Sequence, residues 1–173
     1  MNQVRPHFGG ILDNRSEIAE LFHLTVSDLM DYPIQEVSCG VPYIIVPVKT
    51  LENIQNLTFN TQVWEKLKSI LKDHSVYVFT PQGLLPNSDL HGRMFAPEIG
   101  ITEDPATGSA NGPLACYLFK YDIKKGPLTS EQGFEMNRPS ILHLEIESEK
   151  EIIKKVKVGG QAVFVGQGQF IID

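Results

Sequence analysis

The sequence predicts an α+β fold in which a strongly curved, mixed or largely antiparallel sheet surrounds a central helix. Segments rich in β-branched residues and segments with helical apolar spacing follow one another without the regular strand–helix–strand rhythm of a doubly wound sheet. The apolar run Leu114–Phe119 follows a polar, glycine-rich stretch and is predicted to continue as a helix. No internal repeat or low-complexity tract interrupts the chain, so we expect residues 1–173 to form a single domain.

The first half of the chain contains two predicted helices and three predicted strands. Asn14 and Glu17 form a capping-box-like start for a short helix, and its apolar face carries Ile18, Leu21 and Phe22. Residues 33–50, "PIQEVSCGVPYIIVPVKT", are rich in β-branched residues and predict two strands with a bend. Apolar residues at helical spacing predict a helix from about Thr61 to Asp73. Residues 75–81, "SVYVFTP", then predict a buried strand.

The second half predicts further strands on either side of the apolar helix. Residues 90–100, "LHGRMFAPEIG", predict a strand that ends at Pro97 and Gly100. Residues 139–148, "PSILHLEIES", alternate like a strand. Residues 154–173, "KKVKVGGQAVFVGQGQFIID", predict a terminal hairpin or pair of strands, broken at Gly159-Gly160 and at the Gly166 to Gly168 segment.

Composition limits the classes of partner. The 173 residues are 42% hydrophobic, enough to bury a core. Fifteen basic and 21 acidic residues give a net charge of −6 that is spread along the chain, which argues against nucleic acid or an anionic membrane as partner. No signal-like or membrane-spanning apolar stretch is present, and Cys39 and Cys116 lie in no Cys-x-x-Cys motif. We therefore expect a cytoplasmic protein without a structural zinc or disulfide framework.

The stretch "EDPATGSANGP", Glu103–Pro113, allows two interpretations. As a ligand site, its small residues would let a ligand approach the backbone, and the N–H groups of a first helical turn would favour a carboxylate. As an ordinary helix cap, Thr107 or Ser109 would accept one of those N–H groups instead. Pro113 limits how far upstream a regular helix can extend, because proline donates no hydrogen bond and its ring crowds the preceding turn. The pattern alone leaves both interpretations open.

Other polar positions raise the same choice between site and structure. His91 and Arg93 alternate along a predicted strand, so they can share one face as an acid–base pair, a carboxylate clamp or a surface pair. Gln132-Gly133 and Arg138 either line a cleft or form a turn. Cys116, within the apolar run, is typical of a packed core thiol. Phosphate-loop, dinucleotide and zinc-helix motifs are absent from the sequence, so we predict no metal and no nucleotide cofactor.

Residues 90–118, "LHGRMFAPEIGITEDPATGSANGPLACYL", resemble the signature of the phenazine-biosynthesis PhzF-like family of isomerases, which share the diaminopimelate-epimerase fold. The segment "PIQEVSCGVPYIIVPVKTLENI" resembles the opening of the family's second domain. The segments "QGFEMNRPSILHLEI" and "VKVGGQAVFVGQGQF" resemble its closing strands, so the resemblance covers almost the whole chain. The octapeptide "EDPATGSA" is specific enough to favour the ligand interpretation. Asn137 stands where the family usually has glycine, and asparagine tolerates the left-handed conformation better than most residues.

The resemblance implies a diaminopimelate-epimerase-like lobe and an isomerase that uses neither cofactor nor metal, with its active site in a cleft between two similar halves. On this basis Asp104 and Ser109 are expected to contact the substrate and assist proton transfer. His91, before the Gly-Arg pair, is also expected to face the cleft as a catalytic residue. The expected substrate-binding residues are Thr107, Gly108 and Ala110.

Family members begin with another domain, which holds a proton-shuttling glutamate and a "CGHAT"-like helix start, and neither occurs in this sequence. The chain thus resembles the C-terminal half, and we expect the isomerase to be incomplete without an N-terminal lobe. The alternative is a non-catalytic remnant or a homodimeric module that binds a small carboxylate. The expected partners are a small carboxylate substrate and either a second copy or a separate N-terminal-lobe chain. Residues 1–8 and 167–173 are expected to cross to that other lobe as strands.

Overall fold

The computed structural model describes residues 1–171, which contain ten strands and four helices. The helices are α1 (Arg15–Leu21), α2 (Leu51–Asn56), α3 (Thr61–Leu67) and α4 (Gly108–Lys120). The first five strands are β1 (Asn2–Gln3), β2 (His7–Leu12), β3 (Ile34–Ser38), β4 (Pro42–Pro47) and β5 (Val76–Thr80). The last five are β6 (Leu90–Ala96), β7 (Ile101–Asp104), β8 (Leu128–Gln132), β9 (Ser140–Glu149) and β10 (Ile152–Gly160). None of the helices in the described range is long and apolar enough to cross a membrane.

All ten strands form one mixed sheet. Its order is β1-β10-β9-β8-β6-β5-β4-β3-β2, and β7 pairs with β6 beside this path. The pairs β4/β5 and β6/β8 are parallel, whereas the other pairs are antiparallel. Helix α4 packs against β9 and β10 and also against β3 and β4, which lie towards opposite ends of the sheet. The sheet therefore curls around α4, and the predicted α+β fold with a curved, mixed sheet around a central helix is confirmed.

Two apolar cores cover the two faces of the central strands. On β5, Tyr77 and Phe79 belong to the core around α4, whereas Val76 and Val78 belong to the core under α1–α3. Strand β6 alternates in the same way, with Met94 towards α4. We call the face towards α4 the inner face and the face towards α1–α3 the outer face. Because neighbouring strand residues point to opposite faces, sequence neighbours here lie in different environments.

Two local predictions have different outcomes. Helix α1 forms as predicted and buries Ile18 and Leu21, and Phe22 is buried at its C-terminal end. The predicted capping box does not form, because the Asn14 side chain accepts no backbone N–H and instead donates to Glu17 at 3.4 Å. The prediction of a helix as far as Asp73 is wrong, because α3 ends at Leu67. Lys72 and Asp73 take left-handed φ values of 54° and 51°, which a right-handed helix does not allow. The N–H of Asp73 bonds to the carbonyl of Lys68 at 2.8 Å and closes the turn towards β5.

The closing hairpin lies earlier in the chain than predicted. It is formed by β9 and β10, and the turn between them holds Lys150 and Glu151 at φ values of 45° and 66°. Strand β10 ends at Gly160, and the structure assigns no helix or strand to residues 161–171. The predicted strand beyond Gly160 is therefore wrong within the described residues. This segment exposes apolar side chains to solvent, with exposed fractions of 84% for Val163, 81% for Phe164 and 94% for Val165.

The first residues of the chain lie along β10. Asn2 and Gln3 pair with Lys157 and Val156, and the N-terminal ammonium donates to the carbonyl of Val158 at 2.8 Å. Because the structure describes one chain, the assignment of residues 1–8 and 167–173 to another lobe stays a prediction. Ile172 and Asp173, part of the second segment, lie outside the described residues.

Candidate active site

The start of α4 gathers several of the predicted site residues. Asp104 ends β7, Thr107 immediately precedes α4, and Ser109 is its second residue. The Thr107 hydroxyl donates to Oδ2 of Asp104 at 2.5 Å, and Oγ of Ser109 lies 2.7 Å from the hydroxyl of Tyr43. Neither hydroxyl caps the helix, because each is held by another side chain. The simple capping interpretation is therefore wrong.

The first backbone N–H groups of α4 remain available to a ligand. The N–H groups of Ala110 and Asn111 both bond to the carbonyl of Thr107 at 3.2 Å. No acceptor in residues 1–171 engages the N–H groups of Gly108 and Ser109. These two donors lie at the positive end of a 13-residue helix, where the peptide dipoles favour an anion. A carboxylate matches this arrangement in both charge and donor number.

Pro113 lies inside α4 and does not delay its start. The helix begins at Gly108, more than a full turn before the proline. Since proline has no N–H, the carbonyl of Ser109 loses the donor that would follow four residues later. The irregularity falls on the same first turn as the candidate site.

Gln132 holds the turn between β7 and α4. Its side-chain N–H group donates to the carbonyl of Asp104 at 2.6 Å and to the hydroxyl of Thr107 at 2.9 Å. Its carbonyl accepts from the N–H of Thr107 at 3.2 Å, from Asn111 at 3.3 Å and from the hydroxyl of Tyr77 at 3.3 Å. Burial raises the pKa of Tyr77 to about 12, so its hydroxyl stays protonated and can donate. Of the two alternatives for this segment, the turn is the one that forms, since the N–H of Arg138 bonds to the carbonyl of Gly133 at 2.9 Å. Gln132 is fully buried before this turn and supports Asp104.

Tyr43 is a residue of the site that the sequence analysis missed. It projects from β4, is only 4% exposed and contacts the Ser109 hydroxyl. Burial raises the pKa of Tyr43; the hydrogen bond with Ser109 opposes this shift, and the negative charge of Asp104 adds to it. The two residues are 66 positions apart, and a tyrosine in an apolar strand carries no local signal of such a contact.

His91 does not join Asp104 and Ser109. It lies on the outer face of β6, fully buried, with Nε2 2.8 Å from Glu135 and Nδ1 3.5 Å from Glu131. Burial raises the pKa of Glu135, but the hydrogen bond and charge of His91 outweigh it and lower the pKa overall. A catalytic role for His91 stays a prediction, and it is not brought to the start of α4.

Arg93 also points to the outer face, where its donors are occupied. Its Nε and Nη2 donate to the two carboxylate oxygens of Glu103, each at 2.8 Å. Its Nη1 donates to the carbonyls of Ile54 and Leu57 at 3.1 and 2.8 Å. The carboxylate clamp considered for Arg93 is thus filled by Glu103 from its own chain.

The predicted substrate-binding residues differ in accessibility. Gly108 is half-buried and its carbonyl accepts from the side chain of Gln3 at 2.7 Å. Ala110 is fully buried, and the side chain of Thr107 is 6% exposed. Contact with a ligand through the backbone is therefore open to Gly108, whereas Thr107 and Ala110 lie beneath it. Their roles towards a substrate stay predictions.

Comparisons with known sequences show which proteins this chain resembles. The family described as "Phenazine biosynthesis-like protein" matches residues 2–168. An uncharacterised isomerase of Clostridium acetobutylicum is 35% identical over 100% of this chain and 60% of its own length. The trans-2,3-dihydro-3-hydroxyanthranilate isomerase of Pseudomonas fluorescens is 42% identical over 82 residues, which are 46% of this chain and 30% of that enzyme.

Solved structures show the same fold. A PhzF-family phenazine biosynthesis protein of Bacillus anthracis superposes with a TM-score of 0.79 at 28% identity, over 96% of this chain and 58% of that one. A protein of Pseudomonas aeruginosa described as a predicted epimerase gives a TM-score of 0.71 at 32% identity, over 94% of this chain and 56% of that one. The chain thus spans no more than 60% of the length of these relatives.

Proposed function

The chain belongs to the phenazine biosynthesis-like family, and on that premise we propose that it is the lobe of a cofactor-independent isomerase that carries Asp104 and Ser109. The observation that supports this proposal is their convergence at the start of α4, beside the unengaged N–H groups of Gly108 and Ser109. The substrate is a small cyclic or acyclic amino or hydroxy acid. Its carboxylate binds the two N–H groups.

The proposed reaction moves a proton between two carbon atoms of the substrate. A base takes a proton from a carbon next to an unsaturated or carboxylate-bearing centre, and an acid returns a proton to a different carbon. Asp104 and Ser109 assist this transfer, and each is oriented by one hydrogen bond, from Thr107 and with Tyr43 respectively. The helix N–H groups are fixed before the reaction, so they stabilise developing negative charge without reorganising.

We further propose that a second lobe completes the site. The neighbouring carboxylates Glu103 and Glu131 lie on the outer face, where Arg93 and the N–H groups of Leu84 and Leu85 engage them. A third carboxylate, Glu98, accepts a hydrogen bond from the Ser75 hydroxyl. The partner of Asp104 in proton transfer therefore comes from a separate polypeptide or from a second copy of this chain. The exposed apolar side chains at 163–165 support a contact of this kind.

The same arrangement of carboxylates favours one other function, a homodimeric module that binds a small carboxylate without reaction. The anion site at the start of α4 is formed by this chain's own backbone, whereas the carboxylates Glu103 and Glu131 are engaged on the outer face. Either function fits a cytoplasmic protein, since Cys39 and Cys116 are free thiols, as is usual in a reducing compartment.

The test is proton–deuterium exchange in heavy water. The purified chain is incubated with trans-2,3-dihydro-3-hydroxyanthranilate, and incorporation of deuterium into carbon is followed by NMR. With a second copy as the other lobe, the isomerase proposal expects exchange by the purified chain, which Asp104→Asn and Ser109→Ala reduce at least a hundredfold, by the usual size of acid–base catalysis. Asp31→Asn, at an exposed aspartate, is the matched control and should leave the rate unchanged.

Binding separates the two functions. Titration with anthranilate should shift the amide resonances of Gly108 and Ser109, and light scattering should report a dimer if a second copy supplies the other lobe. Binding without exchange by the dimer would favour the carboxylate-binding module. Absence of both binding and exchange would overturn both functions.

A further inference from the structure

Two free thiols meet where α4 packs against the turn after β3. Cys39 follows β3 and Cys116 lies within α4, and their sulfur atoms are 3.6 Å apart although the residues are 77 positions apart in sequence. Cys39 is 8% exposed and Cys116 is fully buried. We propose that this pair is a peroxide-sensitive modification site, at which hydrogen peroxide oxidises Cys39 and a disulfide to Cys116 follows.

The two thiols are not equivalent. The hydrogen bond with Cys116 lowers the pKa of Cys39, and this effect outweighs the burial that opposes it. The same hydrogen bond, together with burial, raises the pKa of Cys116. Since the thiolate is the reactive form, Cys39 is the thiol that attacks and Cys116 is the thiol that resolves.

Access also favours Cys39 and a small oxidant. The turn continues through Gly40, whose φ of 121° requires glycine, and a side chain built there would approach only the exposed Val4, at 3.7 Å. Cys116 is fully buried in the apolar core around α4. Hydrogen peroxide, close to water in size, can reach Cys39, whereas a bulky disulfide such as oxidised glutathione is hindered.

The chemistry balances with peroxide as the only oxidant. The sulfur of Cys39 attacks one oxygen of hydrogen peroxide, the O–O bond breaks, and the departing hydroxide is protonated to water. This step leaves a sulfenic acid on Cys39. The sulfur of Cys116 then attacks the sulfur of Cys39, the S–O bond breaks, and hydroxide leaves with the thiol proton as a second water. Two thiols and one peroxide become one disulfide and two waters.

Oxidation would join the two elements that hold the candidate active site. Cys116 shares α4 with Ser109, and Cys39 lies in the turn that leads into β4, which carries Tyr43. The sulfur atoms must approach from 3.6 Å to about 2 Å, so α4 and the turn must draw together. This inference concerns the thiols alone and does not depend on the proposed isomerase activity.

The test uses the reduced full chain and measures thiols by mass. After peroxide treatment, denaturation and alkylation, we expect neither cysteine to be alkylated and a reductant-sensitive link between the Cys39 and Cys116 peptides. Oxidised glutathione should react at least tenfold more slowly than peroxide. The oxidation of Met1, which is 71% exposed, provides an internal measure of peroxide dose.

Two serine variants form a matched pair. Cys116→Ser should stop at a sulfenic acid on Cys39 that a dimedone-type reagent traps. Cys39→Ser should leave Cys116 alkylatable at the same dose. Retention of both thiols in the wild-type chain, at a dose that fully oxidises Met1, would overturn the proposal whatever the variants do. Faster oxidation of Cys116 than of Cys39 would overturn the assigned roles.

Discussion

Two polar clusters lie on opposite faces of the same strands, and they differ in whether their principal hydrogen-bond donors are engaged within the chain. In the outer cluster, Arg93 makes four hydrogen bonds to Glu103 and to two carbonyls of the α2 segment. In the inner cluster, Gln132 fixes the turn after Asp104, yet the N–H groups of Gly108 and Ser109 stay unengaged. The donors of Arg93 are used within the chain and hold the fold together, whereas the two N–H groups at the start of α4 are available to a ligand.

Neighbours in sequence divide between these clusters. Glu103 faces outward and Asp104 inward, and the same division separates Glu131 from Gln132. The cause is the alternation of side chains along β7 and β8. A dense motif therefore contains residues of both kinds, and membership of the motif does not by itself indicate contact with substrate.

Loss of the Arg93–Glu103 ion pair on the outer face should have the largest effect on stability. Arg93→Met leaves the carboxylate of Glu103, which is 13% exposed, without its ion pair, so the free energy of unfolding should fall by about 3–5 kcal/mol. Urea denaturation measures this loss. Lys157→Met, which removes exposed ion pairs with Glu145 and Glu147, should cost less than about 1 kcal/mol. Equal losses in the two variants would mean that the outer cluster is not a structural clamp.

Loss of the Gln132 side chain should cause the second-largest decrease in the free energy of unfolding. Gln132→Leu leaves Thr107, Asn111 and Tyr77 short of partners in the core, and we expect a loss of about 3 kcal/mol. The exposed Gln55→Leu should stay within about 0.5 kcal/mol of the wild type in the same assay. If Gln132→Leu were as stable as this control, the Gln132 hydrogen bonds would not stabilise the inner cluster. If Gln132→Leu remains folded, it should bind anthranilate more weakly than the wild type.

Tyr77 should make the stabilisation by the inner cluster depend on pH in the alkaline range. Its pKa is raised from 10.0 to about 12 by burial, so its stabilisation is complete below pH 10 and is lost as the pH rises towards 12. Tyr77→Phe should cost about 1–2 kcal/mol at neutral pH, because Gln132 and Asn111 lose a partner. Its unfolding free energy should then fall less steeply than that of the wild type above pH 10. The unfolding free energies are measured by urea denaturation at a series of pH values, with Tyr32→Phe as control. An equal dependence on pH in Tyr77→Phe and the wild type would contradict this prediction.

Glu135 should make the stabilisation by the outer cluster depend on pH in the acidic range, with a smaller effect. His91 lowers its pKa below the usual 4.5, so the stabilisation is present above pH 4.5 and is lost as the pH falls through the lowered value. Glu135→Gln should cost about 1 kcal/mol at pH 7, and the gap to the wild type should narrow in acid. Thermal unfolding from pH 7 to pH 3 measures this, with the exposed Glu20→Gln as control. A gap that is constant with pH would rule out the His91 contact as its cause.

The sequence by itself determined the features that depend on short stretches of chain. The α+β class, helix α1 and the apolar helix after the glycine-rich stretch follow from the periodicity of apolar residues within a few positions. The end of α3 was predicted too late, because the apolar spacing continues past Leu67. The turn into β5 requires left-handed residues, and this requirement ends the helix.

Only the tertiary structure decided which side chains meet. The hydroxyl pair Tyr43–Ser109 and the thiol pair Cys39–Cys116 join residues 66 and 77 positions apart. Such contacts arise when the sheet curls around α4, and strand pairing over long distances, not local propensity, sets that curl. The same pairing sends Arg93 to one face and Gln132 to the other. The motif around Asp104 thus marked the region of the candidate site, and the folded sheet selected the residues within it.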